Sequence, residues 1–186
     1  GITGTRIEHC FIEALPGADG AGPNGGVQGG KDTYVGYTEI AGYADGIKAE
    51  AGSLYEHNYI HMYKPAGSEK HLDGIQGSGD SNYTIRNNVI DQPIADGGNS
   101  AIFVQPYNGQ RDYAITNITI EGNYLRGGNF TVFLEGDGLL SDITLRNNLW
   151  ARDGNRYGYA RVTNCGAVDA ASNLFKDDRS VVPGTC

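Results

Sequence analysis

The chain has 186 residues, enough for one domain with a continuous core, and 39% hydrophobic content with 12 Tyr and 5 Phe excludes a disordered chain. Its 14 basic and 22 acidic side chains give a net charge of −8, which argues against nucleic acid as a partner because non-specific binding needs clustered Lys and Arg. No apolar run approaches the ~20 residues that cross a bilayer, so membrane insertion is not expected, and no signal peptide is legible.

The opening segment, GITGTRIEHC, is already strand-like and lacks an initiator Met, so it reads as part of a processed or longer protein. From there one pattern recurs: TRIEHCFIEA, GYTEIAGYAD, SLYEHNYIHM, YTIRNNVIDQ, ITIEGNYLRG, ITLRNNLWAR and DAASNLFKDD. Aligned on a central position, the segments give a column of Cys10, Ile40, Asn58, Asn88, Asn123, Asn148 and Asn173. The separations are 30, 18, 30, 35, 25 and 25 residues, the mark of a repeating coil with inserted loops of unequal length. Three positions before this anchor stand Ile7, Tyr37, Tyr55, Ile85, Ile120, Leu145 and Ala170; two after it stand Ile12, Gly42, Ile60, Ile90, Leu125, Trp150 and Phe175. A period of two in register across every repeat predicts inward faces of stacked parallel strands.

A second strand set lies between the anchors: GGVQGG, DGIKAE, DGIQGS, AIFVQP, TVFLEG and YARVTN, with the inward column Val27, Ile47, Ile75, Ile102, Val132 and Ala160. Together these predict an all-β chain, a right-handed parallel β-helix of six to seven coils with an Asn ladder. At about 4.8 Å per coil the rod is roughly 30 Å long. One domain is expected over 1–186, with 167–186 as the C-terminal coil and tail. The inward asparagines are expected to bond backbone groups and one another at the turns. Glu56, Arg86, Glu121 and Arg146, two before the anchor, form an outward charge ladder. Of Cys10, Cys165 and Cys186, the last two can bridge and pin the tail; three free thiols is the alternative.

With YTIRNNVID, ITLRNNLWA and the intervening HLDGIQ, essentially the whole chain resembles the right-handed β-helix repeat superfamily. That superfamily holds polysaccharide lyases, mannuronan epimerases, pectinolytic enzymes and phage tail-spike domains. The resemblance implies a polysaccharide partner and a secreted, cell-surface or virion location. The Tyr/Asp/His cluster of the epimerases, the dense acidic calcium ligands of pectate lyases and the paired aspartates of the hydrolases have no counterpart in this sequence.

The outward column of the second strand set is Gln28, Lys48, Gln76, Phe103, Phe133 and Arg161, followed two residues on by Gly30, Glu50, Ser78, Gln105, Glu135 and Thr163. Aromatic rings beside amide and charged groups suit a sugar, so Gln76, Phe103, Gln105, Phe133 and Glu135 are the expected substrate-binding residues; a satellite core under long loops is the alternative for the rings. Asp45 and Asp73 each open an Asp-Gly-Ile triplet in successive coils. For a β-elimination, Lys48 or His71 is the expected base, with Asp73 beside them and a divalent cation such as Ca2+ at Asp45 and Asp73. The competing reading of both triplets is a turn, with Asp bonding local amides and Gly at positive φ. His9 and His57 are expected in one outward column separated by Glu39, as surface histidines. The alternative to a glycan-active protein is a structural or adhesive module of a phage tail or surface protein, with further coils, an upstream domain or an oligomer at the N-terminal end.

Overall fold

The structure is a computed structural model that describes residues 2–14, 25–43, 45–61, 72–92, 98–107, 109 and 112–186. Its strands form three parallel faces. The first is β1 (Arg6–Glu8), β4 (Tyr34–Gly36), β7 (Leu54–Glu56), β10 (Tyr83–Arg86), β13 (Ile115–Glu121), β15 (Leu140–Arg146) and β18 (Val168–Ala171), stacked in that order. The second is β2 (Phe11–Glu13), β5 (Glu39–Ala41), β8 (Tyr59–His61), β11 (Val89–Gln92), the first half of β14 (Tyr124–Leu134), β16 (Leu149–Trp150) and β19 (Leu174–Phe175). The third is β3 (Val27–Gln28), β6 (Asp45–Ala49), β9 (Asp73–Ser78), β12 (Ser100–Gln105), the second half of β14 and β17 (Asn155–Val162). β14 turns the corner between the second and third faces without a break, and its ladder register shifts between Gly128 and Phe130.

The protein is therefore a parallel β-helix. It makes about five turns, slightly fewer than the six to seven coils expected. The core is the stack of inward columns. Val35, Tyr55, Ile85, Ile120 and Leu145 line the first face, Ile40, Ile60, Ile90, Leu125 and Trp150 the second, and Ile47, Ile75, Ile102 and Val132 the third, all buried. Each such side chain contributes about 1.5–3 kcal/mol by leaving water.

One register differs from expectation. Val35, not Tyr37, pairs with Ile7 and Tyr55, and Ile40 pairs with Ile12 and Ile60. The anchor of the second coil is thus Thr38, whose N–H donates to Asn58 Oδ1 at 3.1 Å. A slip of two residues keeps every side chain on its face, so hydrophobic alternation is blind to it.

The asparagine ladder is continuous and directional. Asn58, Asn88, Asn123 and Asn148 each direct their backbone N–H and Nδ2 to the Oδ1 of the next Asn, at 2.9–3.3 Å and 3.0 Å. Each Nδ2 also donates to a backbone carbonyl of the preceding rung, as Asn88 does to Tyr55 O at 3.0 Å. The residue before each anchor has positive φ: His9, Tyr37, His57, Asn87, Gly122, Asn147 and Ser172 all lie between 51° and 66°. That left-handed residue makes the two-residue corner. Arg86 and Arg146 reach Glu56 and Glu121 at 2.7 and 3.1 Å, as the charge ladder requires. At the C-terminal end a Cys165–Cys186 disulfide ties down the tail, and Val182 packs buried beneath it; Cys10 is free and exposed.

Candidate functional site

The Asp-Gly-Ile triplets open strands β6 and β9, and Asp45 pairs in register with Asp73. Neither glycine has positive φ, so the turn reading of the triplet gives way to a packing one. A Cβ on Gly46 would lie 2.5 Å from Gly74 O, and one on Gly74 would lie 2.5 Å from Ala101 O and 2.3 Å from Ile90 Cγ2. Successive rungs approach there too closely for any side chain.

Both aspartates are buried, Asp45 at 6% and Asp73 at 1% exposure. Asp45 Oδ1 accepts the Asp73 N–H at 3.4 Å, and Lys48 Nζ lies 3.5 Å from Asp45 Oδ2. Asp73 Oδ1 accepts Asn99 Nδ2 at 2.9 Å, and Asn99 Oδ1 accepts Asn129 Nδ2 at 3.1 Å. The four residues form a second, shorter polar ladder at the corner between the second and third faces. Asp73 Oδ2 is buried without a hydrogen-bond partner. Burial first, and the Asp45 carboxylate second, push the Asp73 carboxyl up to about 8, against the opposing pull of Asn99, the Ser100 amide and Lys48.

This donor set does not fit calcium. Ca2+ takes six to eight oxygen ligands. Here an amide N–H and an ammonium already face the two carboxylates, and no group of three or more His, Cys, Asp or Glu suited to a metal gathers among the described residues. Of the expected catalytic residues, Asp73 is closed to solvent, Lys48 keeps a quarter of its side chain exposed, and His71 lies outside the described residues.

The expected outward column is present in register: Gln28 beside Lys48, Lys48 beside Gln76, Gln76 beside Phe103, Phe103 beside Phe133 and Phe133 beside Arg161. Phe103 and Phe133 meet edge to face at 5.0 Å, and the Arg161 guanidinium lies 4.9 Å from the Phe133 ring centre. Phe130 and Tyr157 extend the cluster, each contact at 5.9 Å, and Tyr157 is 64% exposed. Gln105 and Glu135 follow Phe103 and Phe133 by two residues, and they also line a cleft of about 350 Å3 with Tyr107, Asp112 and Asp137.

Asn99, Asn129, Phe130 and Tyr157 belong to the site and were not anticipated. The register shift near Gly128 and Phe130 takes Phe130 out of simple alternation. Asn99 and Asn129 carry a legible signal, an asparagine just ahead of successive third-face strands. The histidine column also needs correction: Tyr37, not Glu39, separates His9 from His57, and the three rings stack at 5.2 and 4.8 Å.

The fold and this face together define a parallel β-helix with an aromatic and polar outer sheet. No protein-family model, curated protein or solved structure matches the chain.

Proposed function

We propose that this is a glycan-interacting β-helix, extracellular or virion-associated, that binds a polysaccharide along the outer face of its third sheet. The observation that carries the reading is the half-buried Phe103–Phe133 pair, in register with Gln76 and Lys48 on one side and Arg161 on the other. Rings offer the apolar C–H face of a sugar a platform, while the amide, ammonium and guanidinium bond its hydroxyls or a uronate carboxylate. Net protein charge is unfavourable to a polyanion, but the cations here stand at the face itself.

An elimination version of this reading takes Lys48 as the base, acting as the free amine and not as the ammonium that would bind a carboxylate, since it alone of Asp45, Lys48 and Asp73 reaches solvent appreciably. Incubation with a panel of uronate polymers, followed at the absorbance of the unsaturated product with and without calcium, tests it. Absence of product across the panel removes the lyase version and leaves binding.

A second reading, a structural or adhesive module, draws on the first rung. Ile7 and Ile12 are only partly buried, whereas their column mates Val35 and Ile40 are fully buried. Exposed core columns and strand edges favour a covering partner. Sedimentation of the chain checks this reading; a concentration-independent monomer argues against it.

A further inference from the structure

The second sheet presents a different outward surface that the third-face reading leaves unused. Along one column, in register from rung to rung, stand Phe11, Glu39, Tyr59, Val89, Tyr124 and Leu149. Rings therefore recur on every second rung. Phe11 is 60% and Tyr59 42% exposed. Two residues further along the strands His61 follows Tyr59 and Arg126 follows Tyr124, with Asp91 paired between them, while Glu13 holds that place after Phe11. His61 and Arg126 both meet carboxylates on this face. His61 Nε2 meets Glu39 Oε1 at 2.8 Å, and Arg126 meets Asp91 at 3.0 Å and Asp153 at 2.7 Å. Two of the three rings thus have a carboxylate-paired nitrogen group beside them, an imidazole at Tyr59 and a guanidinium at Tyr124. Stacked His9, Tyr37 and His57 border the first three rungs, and the Lys176 ammonium lies 5.0 Å from the Tyr124 ring centre at the far end.

We infer that this column is a binding track for an extended, uncharged polysaccharide whose chain runs across the rungs, parallel to the solenoid axis. Three properties of the surface select that occupant. Its two-rung period is about 9.6 Å, the length of two units in an extended sugar chain, whereas same-face side chains of a peptide strand recur every ~6.8 Å and fall out of step. Its His61–Glu39 and Arg126–Asp91–Asp153 contacts are internally matched, so they offer donors and acceptors to hydroxyls without net positive charge. Glu39, Asp91 and Asp153 would repel a polyanion, as would the net charge of −8. The track is independent of the third face, so each can fail alone.

Calorimetric titration of the full chain with soluble 1,4-linked gluco-, manno- and xylo-oligosaccharides tests it. Binding is expected for at least one series, with affinity rising until the ligand spans Phe11 to Tyr124, five rungs and four rung spacings or about 19 Å. Tyr59→Ala should weaken it by about tenfold or more, Tyr59→Trp should retain it, and Phe103→Ala should leave it unchanged. Affinity should be nearly insensitive to salt. Because Tyr59 is 42% exposed and packs on the surface against His61, Tyr59→Ala should keep a urea midpoint close to that of wild type, which separates loss of binding from loss of fold. No binding in any series overturns the inference, as does undiminished binding by Tyr59→Ala. So does tighter, salt-sensitive binding of a polyuronate. Loss through Phe103→Ala alone also overturns it while sustaining the third-face site.

Discussion

Replacing Asp73 with asparagine should make the fold more stable in mild alkali and remove much of its pH dependence. Asp73 is 1% exposed, its Oδ2 has no partner, and burial pushes its carboxyl up to about 8 from an ordinary value of 3.8. Between those values the folded chain holds a proton that the unfolded chain releases. Stability is then fully present below about pH 4 and falls as pH rises toward 8, by about 1.4 kcal/mol per pH unit, levelling off above the folded value. Across pH 5 to 8 this comes to roughly 3–4 kcal/mol, an upper bound because a neighbouring carboxylate shares the proton. Glu50 and Asp80, both raised chiefly by burial, add slope of the same sign; the lowered carboxyls of Glu56 and Asp153 act in the opposite sense only in acid. An asparagine carries no titrating proton and can still accept from Asn99. Urea denaturation at pH 5, 6.5, 8 and 9 provides the measurement (conditions spaced about one to two units apart). A wild type whose stability is flat or rising from pH 5 to 8, or an Asp73→Asn variant with an unchanged slope, would refute the reasoning.

Asn88→Ala removes an Oδ1 that accepts from Asn58 and an Nδ2 that donates to Tyr55 O and Asn123. At about 1–3 kcal/mol for each buried group left unpaired, it should cost roughly 3–5 kcal/mol by urea denaturation, and a cost below 1 would sink the account of the ladder. Arg146→Ala should cost no more than about 1 kcal/mol in the same assay, because its Glu121 partner lies on an open surface. Cys165→Ser should cost about 3 kcal/mol by freeing the loop of sequence separation 21, read as a lower thermal midpoint. Gly74→Ala should be among the most damaging single changes, since its Cβ would meet Ala101 O and Ile90; a near-native melting curve would contradict the close rung contact.

The inward columns of this fold were legible because burial repeats with the strand period in every rung. Val27, Ile47, Ile75, Ile102, Val132 and Ala160 fall in the register that the sequence indicates. The second coil was misplaced by two residues because Ile40 and Tyr37 satisfy the alternation as well as Thr38 and Val35 do. What distinguishes them is one hydrogen bond, from Thr38 to Asn58, and a threonine in an asparagine column gives it no distinctive signal. The outward column with Phe103 and Phe133 was equally readable, since facing follows from register.

The character of the Asp pair was not readable. Asp-Gly is turn chemistry in most contexts, and only the rung-to-rung approach at Gly46 and Gly74 reveals a strand opening. Burial of Asp73 likewise depends on Asn99, 26 residues away in sequence, folding against it. Gln105 and Glu135 follow the rings by two residues, as strand spacing indicates, but their place in a cleft with Tyr107, Asp112 and Asp137 depends on how the flanking loops fold, which spacing does not show. The stacked His9, Tyr37 and His57 escaped notice because the same two-residue slip placed Glu39 between the histidines.

The proposed glycan site on the third outer face rests on its paired phenylalanines. Titration of wild type and of a Phe103→Ala, Phe133→Ala double variant against a panel of neutral and uronate polysaccharides tests it most directly, with urea curves to verify that the variant is folded. Wild type should bind at least one polymer, with affinity falling by about tenfold or more in the folded variant. Equal affinity in the two proteins, or no binding by wild type, would contradict it.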